Sequence, residues 1–189
     1  MKRTILLFAI LIPFFTYGQN VVLDNFPTKD GKIYYTEVVT VDSTLSASDL
    51  YINAKRWMVS EFKSSKDVIQ TDNKDLNIII GKGFFEKGHT SAIQNPKNWF
   101  VIKLEFKDGK YRYSIYDIKY EFDMSFMSQH SHFEKRLDEW LLSPSKNVSE
   151  SKQKKINDAL NSYCREINEE FLNIIHSMKV EMTTKNNNW

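Results

Sequence analysis

Residues Trp99–Tyr120 read WFVIKLEFKDGKYRYSIYDIKY, and the fold follows from how this stretch alternates. Phe100, Ile102, Leu104 and Phe106 share one face of a strand. Asp108-Gly109 is the strongest short hairpin signal, and the type I′ turn it suggests takes positive φ at both central positions. A two-residue loop there sets position i opposite position 217 − i. Phe106 then faces Tyr111, Leu104 faces Tyr113 and Ile102 faces Ile115, all apolar pairs, while Glu105 faces Arg112 on the other side. A slip of one residue would invert both faces, so one register satisfies the whole pattern. Beyond Ile115 the apolar set moves to Tyr116, Ile118, Tyr120 and Phe122, a change of phase that predicts a bulge at Asp117.

Upstream, Lys32–Val41 reads as a first strand, with Ile33, Tyr35, Val39 and Val41 on one face and Glu37 as the exception. Ser46 opens a helix, with Asp49 placed to complete a capping box. Leu50, Ala54, Trp57, Met58 and Phe62 form its apolar stripe. A short strand at Val68–Thr71, a turn at Asp72-Asn73-Lys74-Asp75 and a third strand at Leu76–Phe85 follow. Gly81 and Gly83 inside that strand suggest a bulge or a close backbone approach.

Downstream, residues 123–150 read as an irregular connection holding a short helix over His132–Leu142, broken by Ser143-Pro144-Ser145. From Ser151 to Met182, the residues Ile156, Leu160, Tyr163, Ile167, Phe171, Ile174 and Met178 recur every three or four positions. That is one helix of roughly 45 Å with a single apolar stripe. Apolar-faced strands and two amphipathic helices need one shared core. The fold class is α+β, a curved antiparallel sheet with both main helices on one face.

The ends of the chain have a different composition. Lys2 and Arg3 precede an apolar run from Ile5 to Phe15, and Thr16-Tyr17-Gly18 supplies small residues where a signal peptidase cleaves. Residues 1–18 are expected to be a signal peptide, 19–31 a lead-in, 32–122 the sheet with its first helix, 151–182 the long helix of the same domain, and 183–189 a frayed tail. Removing the leader leaves 171 of the 189 residues, with 24 basic and 24 acidic side chains, so the net charge falls from +2 to zero. A neutral chain lacks the basic footprint of a nucleic-acid binder. Cys164 is the only cysteine, which excludes an internal disulfide and a lipid anchor at a signal-peptide cysteine. The expected location is periplasmic or secreted, and no remaining stretch is long enough to span a bilayer.

Several segments resemble the DUF4468 family in order and spacing. They are Ile33-Tyr34-Tyr35-Thr36-Glu37-Val38-Val39, the Leu50–Phe62 helix with Ala54-Lys55-Arg56-Trp57, Asp67-Val68-Ile69-Gln70, Ile79-Ile80-Gly81-Lys82-Gly83 and Lys107-Asp108-Gly109-Lys110-Tyr111-Arg112-Tyr113. The resemblance covers about Lys29 to Tyr120. The order read from the residues themselves is β-α-β-β-β-β-α; the resemblance implies a TBP-like fold, a curved antiparallel sheet gripping helices, and a place in the bacterial envelope. It brings no catalytic residues with it. TATA-binding protein inserts apolar side chains into a DNA groove, but a shared fold does not carry a shared function.

The chemistry-bearing residues are sparse. Gly81-Lys82-Gly83 lacks the loop length, the following Ser or Thr and the helix of a phosphate-binding loop. His130, His132 and Glu134 form an H-x-H-x-E run that is the weak candidate for a metal site, since alternate strand positions share a face. His89 and His176 lie on other elements. Cys164 has no partner base in the sequence pattern. No nucleophile elbow, metalloprotease motif or dinucleotide fingerprint is present, so no catalytic residue and no cofactor are assigned.

The remaining signal is apolar. Phe122, Met124, Phe126 and Met127, with Phe133 and Trp140, are adaptable or aromatic groups that suit a pocket rim or a partner groove. Tyr34, Tyr116 and Trp99 make the outer sheet face partly aromatic. The expected function is an exported, non-catalytic envelope module that binds an envelope protein or a small apolar ligand. The rivals are a metal-dependent hydrolase using the His130/His132 segment, and a structural subunit that self-associates through the long helix as a homo-oligomer.

Overall fold

The computed structural model describes residues 23–62, 69–88, 93–126, 129–143 and 149–184, with the backbone alone at 93–95, 124–126 and 129–130. The proposed leader, residues 1–18, lies outside the described residues. After a 3-10 turn at Leu23–Asn25 the elements are β1 Thr28–Lys29, β2 Lys32–Ile33, β3 Tyr35–Thr40, α1 Ala47–Glu61, β4 Ile69–Asn73, β5 Ile78–Phe85, β6 Ile93–Lys107, β7 Lys110–Phe126, β8 Gln129–Arg136, α2 Leu137–Leu141 and α3 Glu150–Met182. β1 and β2 form a small hairpin, and the other strands form one antiparallel sheet in the order β3-β7-β6-β5-β4, with β8 also paired to β7.

The β6–β7 hairpin keeps the register its alternation predicts, from Phe106 opposite Tyr111 to Ile102 opposite Ile115. Its inner side chains are buried, and Arg112 meets Glu105 on the outer face at 2.7 Å. The turn differs from the expected type I′. Gly109 has φ 69°, whereas Asp108 is not among the positive-φ residues, which is the type II pattern. The turn is docked against the start of α1: Asp108 accepts from the Ala47 N–H at 2.8 Å, and Gly109 donates to the Leu45 carbonyl at 2.9 Å. The bulge at Asp117 is present. Val101 pairs with Tyr116 and Trp99 with Lys119, so β7 carries one extra residue, and Asp117 has φ 51°.

The core lies between the inner sheet face and the two long helices. α1 begins with the predicted capping box, in which Ser46 and Asp49 satisfy each other's backbone N–H groups. Its stripe of Leu50, Ala54, Trp57, Met58 and Phe62 is buried. α3 lays Phe171 against Tyr35, Phe85 and Phe100, with ring centroids 5.0, 5.1 and 5.4 Å away. Trp57 donates from Nε1 to the Ser177 hydroxyl at 2.9 Å, which joins the two helices. Gly83 is a point of close approach rather than a bulge. A Cβ there would lie 2.7 Å from a ring carbon of Phe62.

Several boundaries need correction. The described part of 123–143 is not irregular: β7 continues to Phe126, and Gln129–Arg136 returns beside it as β8. The short helix therefore starts at Leu137, not at His132. The reason is tertiary. The β8 sequence is polar, but its side chains find cross-strand partners on β7, including Lys119 with Glu134 and Phe122 with Phe133. The first strand divides at Tyr34, because Ile33 turns back to pair with Thr28. α3 begins at Glu150. Thr184 is not frayed, since its carbonyl accepts from the buried Asn53 at 2.8 Å, and 185–189 lie outside the described residues.

β3 and β8 lie in tandem along the same side of β7. β3 pairs with residues 110–115 and β8 with residues 119–126, with the bulge between them. β7 is thus shared by the main core and by an arm made of its second half and β8.

Candidate functional site: an aromatic junction at the β7–β8 arm

The phase change at Asp117 turns Tyr120 and Phe122 inward on the second half of β7. Phe133 lies directly opposite Phe122 on β8, and their rings stack at 5.1 Å with an interplanar angle of 13°. Tyr120 packs on Phe122 at 4.8 Å, on Trp140 of α2 at 5.3 Å and on Tyr163 of α3 at 5.4 Å. Trp140 meets Tyr163 edge to face. The cluster runs from a buried end at Tyr120 to a solvent end at Phe133, which is 39% exposed.

Its polar anchors point into the protein. Tyr163 donates to the buried Asn98 at 2.8 Å, and Asn98 in turn donates to the Lys87 carbonyl at 3.2 Å. Burial pushes the Tyr163 phenol well above its ordinary range, so it stays protonated and serves as a donor. Asp138 is buried at the start of α2 and takes two hydrogen bonds from Arg136, at 3.1 and 2.7 Å. That pair fixes α2 and so holds Trp140 against the sheet.

The arrangement brings together Phe122, Phe133 and Trp140 from the sequence-derived set. Met124 and Phe126 hold later alternate positions on β7, opposite Ser131 and Gln129 in register. Met127 lies outside the described residues. Tyr120 and Tyr163 belong to the junction and are missed by sequence reasoning. Their signal is weak, because each reads only as one more residue of an apolar stripe.

The metal candidates occupy successive alternate positions on β8, with His130 opposite Ser125, His132 opposite Asp123 and Glu134 opposite Glu121. His132 Nδ1 lies 2.9 Å from an Asp123 oxygen, and this hydrogen bond raises the imidazole above its usual range. Glu134 is bound by Lys119 at 2.8 Å, which holds its carboxyl below the usual range. His132 and Glu134 are thus each paired across the arm. Among the described residues no three His, Cys, Asp or Glu side chains are grouped as metal ligands. Cys164 is buried, and burial pushes its thiol up to about 12, which makes it an inert core residue. Lys82 of the Gly81-Lys82-Gly83 run sits in β5 with its ammonium 4.5 Å from the Trp99 ring centre.

Two other surfaces have shape. The outer sheet face, away from the helices, groups Phe84 with Trp99 at 4.6 Å and stacks Tyr34 on Tyr116 at 5.9 Å. A groove of about 570 Å³ runs along the inner side of β3, lined by Tyr35, Glu37, Tyr113, Leu172, Ile175 and Lys179. A second, of about 310 Å³, lies on the outer side between Val38 and Leu76.

Residues 35–121 match the model of the family described as a domain of unknown function (DUF4468) with TBP-like fold. Over these residues the chain is similar to the DUF4468 family. The same fold is found in two crystal structures. A TBP-like protein from Parabacteroides distasonis ATCC 8503 aligns at a TM-score of 0.55 and 13% identity, over 82% of this chain and 97% of its own. A DUF4468 family protein from Bacteroides ovatus ATCC 8483 aligns at 0.54 and 15% identity, over 87% and 94%. No curated protein matches the chain. The DUF4468 match ends at Glu121, so Tyr120 lies within it and Phe122, Phe133, Trp140 and Tyr163 lie beyond it.

Proposed function

We propose that this chain is an exported, non-catalytic envelope module that binds a protein or a small apolar ligand at the aromatic junction. The observation that carries the reading is the Phe122–Phe133 stack, which leads from a hydrogen-bonded interior to a ring left 39% exposed. Rigid aromatic side chains offer large apolar area at low entropic cost, the usual anchor chemistry of a binding surface. Phe122 and Trp140 are half-buried and pack against the core, so the rings are held by the fold. Lys119 with Glu134 and Asp123 with His132 pair across the arm, so these four groups are engaged with one another. Export rests on the charge, apolar run and small residues at positions 2–18.

The test uses 1-anilinonaphthalene-8-sulfonate as an apolar probe and capture from a bacterial envelope extract as the second arm. Phe133→Asp is expected to abolish saturable probe binding, and Trp140→Ala to weaken it, with the circular dichroism spectrum of the fold retained. Undiminished probe binding and capture by both variants would remove the site from this junction.

A further inference from the structure

We propose that β3 is a self-association edge, on which a second copy of this chain adds its own β3 antiparallel and in register about Val38. The inference is independent of the aromatic junction.

The edge is open. The Val41 N–H bonds the Gly109 carbonyl on the β7 side, and β3 pairs with β7 without a register shift. Amide direction alternates along a strand, so residues 35, 37 and 39 bond to β7. The N–H and C=O groups of Thr36, Val38 and Thr40 therefore point away from the sheet. The same parity follows from the hairpin, where the closing pair Lys107–Lys110 directs residues 110, 112 and 114 toward β6. Thr36, Glu37, Val38 and Thr40 are exposed, Val38 by 59%.

The edge is also unguarded. Proteins normally blunt free strand edges with bulges, prolines, lysines or charge. β4, at the opposite edge, has a register shift between Ile69 and Thr71, and its Asp72 is bonded by Lys55 and Tyr51. β8 carries two histidines, Glu134, Lys135 and Arg136. β3 reads YTEVVT, with none of these devices apart from Glu37, and Glu37 is neutralised on the inner face by Lys179 at 2.6 Å.

The sequence of β3 is its own complement. A two-fold axis through Val38 sets Val38 opposite its counterpart, Thr36 opposite Thr40, Glu37 opposite Val39 and Tyr35 opposite Val41. All outward amides of the strand are then paired, threonines meet threonines, valine meets valine, and no carboxylate faces a carboxylate. Such an isologous contact closes on itself and stops at a dimer. Side chains of an added strand alternate between faces, and β3 has a groove on each face to receive them. Leu172 of α3, 50% exposed, lines the inner groove and would be covered.

Sedimentation velocity of the purified chain over a range of concentrations tests the proposal. A monomer–dimer equilibrium is expected. Val38→Lys should weaken it by about tenfold or more by setting two ammonium groups opposite each other. Val59→Lys, at an equally exposed position on α1, should leave it unchanged. Residue 38 and its counterpart would have Cα atoms about 5.5 Å apart, within the roughly 4.4–6.8 Å that a disulfide spans. Val38→Cys should therefore yield a covalent dimer on mild oxidation, and Val59→Cys should not. A monomer at all concentrations, a dimer that survives Val38→Lys, or a dimer whose Val38→Cys variant does not cross-link would overturn the proposal.

Discussion

Tyr111 sits under the sheet with 1% of its surface exposed, and its hydroxyl meets no hydrogen-bond partner among the described residues. Removing a buried hydroxyl that has no partner relieves a desolvation cost without losing a bond. Tyr111→Phe is expected to leave the melting temperature equal or to raise stability by up to about 1 kcal/mol; a clear fall in thermal unfolding would refute the assignment. Gly83 is the opposite case. A methyl there meets the rings of Phe62 and Phe100 at 2.7 and 3.2 Å. Gly83→Ala should destabilise by about 1–3 kcal/mol through overpacking, read as a lower urea midpoint. Glu37 shows what single positions withhold. In sequence it breaks an apolar alternation. In the structure it receives the Tyr113 hydroxyl at 3.0 Å and the Lys179 ammonium at 2.6 Å, so its partners stand 76 and 142 positions away. No local pattern encodes them.

Helix α1 and the β6–β7 hairpin were legible because their information is local. Ser46 and Asp49 stand three residues apart, and the hairpin is set by its two-residue loop and by alternation on either side. Ser46→Ala should cost about 1 kcal/mol, measured by chemical denaturation, since it removes the hydroxyl that accepts from the Asp49 N–H while the backbone N–H of residue 46 keeps its bond to the Asp49 carboxylate. The turn type was not legible. Asp108 is drawn into capping a helix that begins 61 residues earlier, a tertiary demand that outweighs the local preference. β8 was hidden for the same reason. Its residues Gln129–Arg136 carry one large apolar group, Phe133, and only β7 gives the strand its partners. The aromatic junction was half legible. Phe122, Phe133 and Trp140 stood out by type, whereas Tyr120 and Tyr163 join them only through the crossing of β7 and α3.

Ion pairs that tie distant elements make the whole molecule sensitive to acid. Lys179 holds the Glu37 carboxyl below the usual range, and Lys55 with Tyr51 does the same for Asp72, so α3 is bound to β3 and α1 to β4. A carboxyl lowered in the folded state contributes stability above its ordinary value and loses it as pH falls toward the folded one. The melting temperature should therefore decline as pH drops through the ordinary carboxylate range, and Glu37→Gln should flatten that decline; an unchanged profile would show the pair to be inconsequential. His132 acts in the other sense, favouring the fold below the ordinary imidazole range and losing that contribution as pH rises above it. At this scale the α+β class and the helix-covered sheet were legible, because periodicity reports which faces are apolar. The tandem placement of β3 and β8 on β7 was not, because it depends on one inserted residue. Asp117 works like a shifted reading frame: upstream of it odd-numbered side chains face inward, and downstream the even-numbered ones do. Deleting that single residue would turn Ile118, Tyr120 and Phe122 toward water and Lys119, Glu121 and Asp123 toward the protein, a harsher change than any one substitution along the arm.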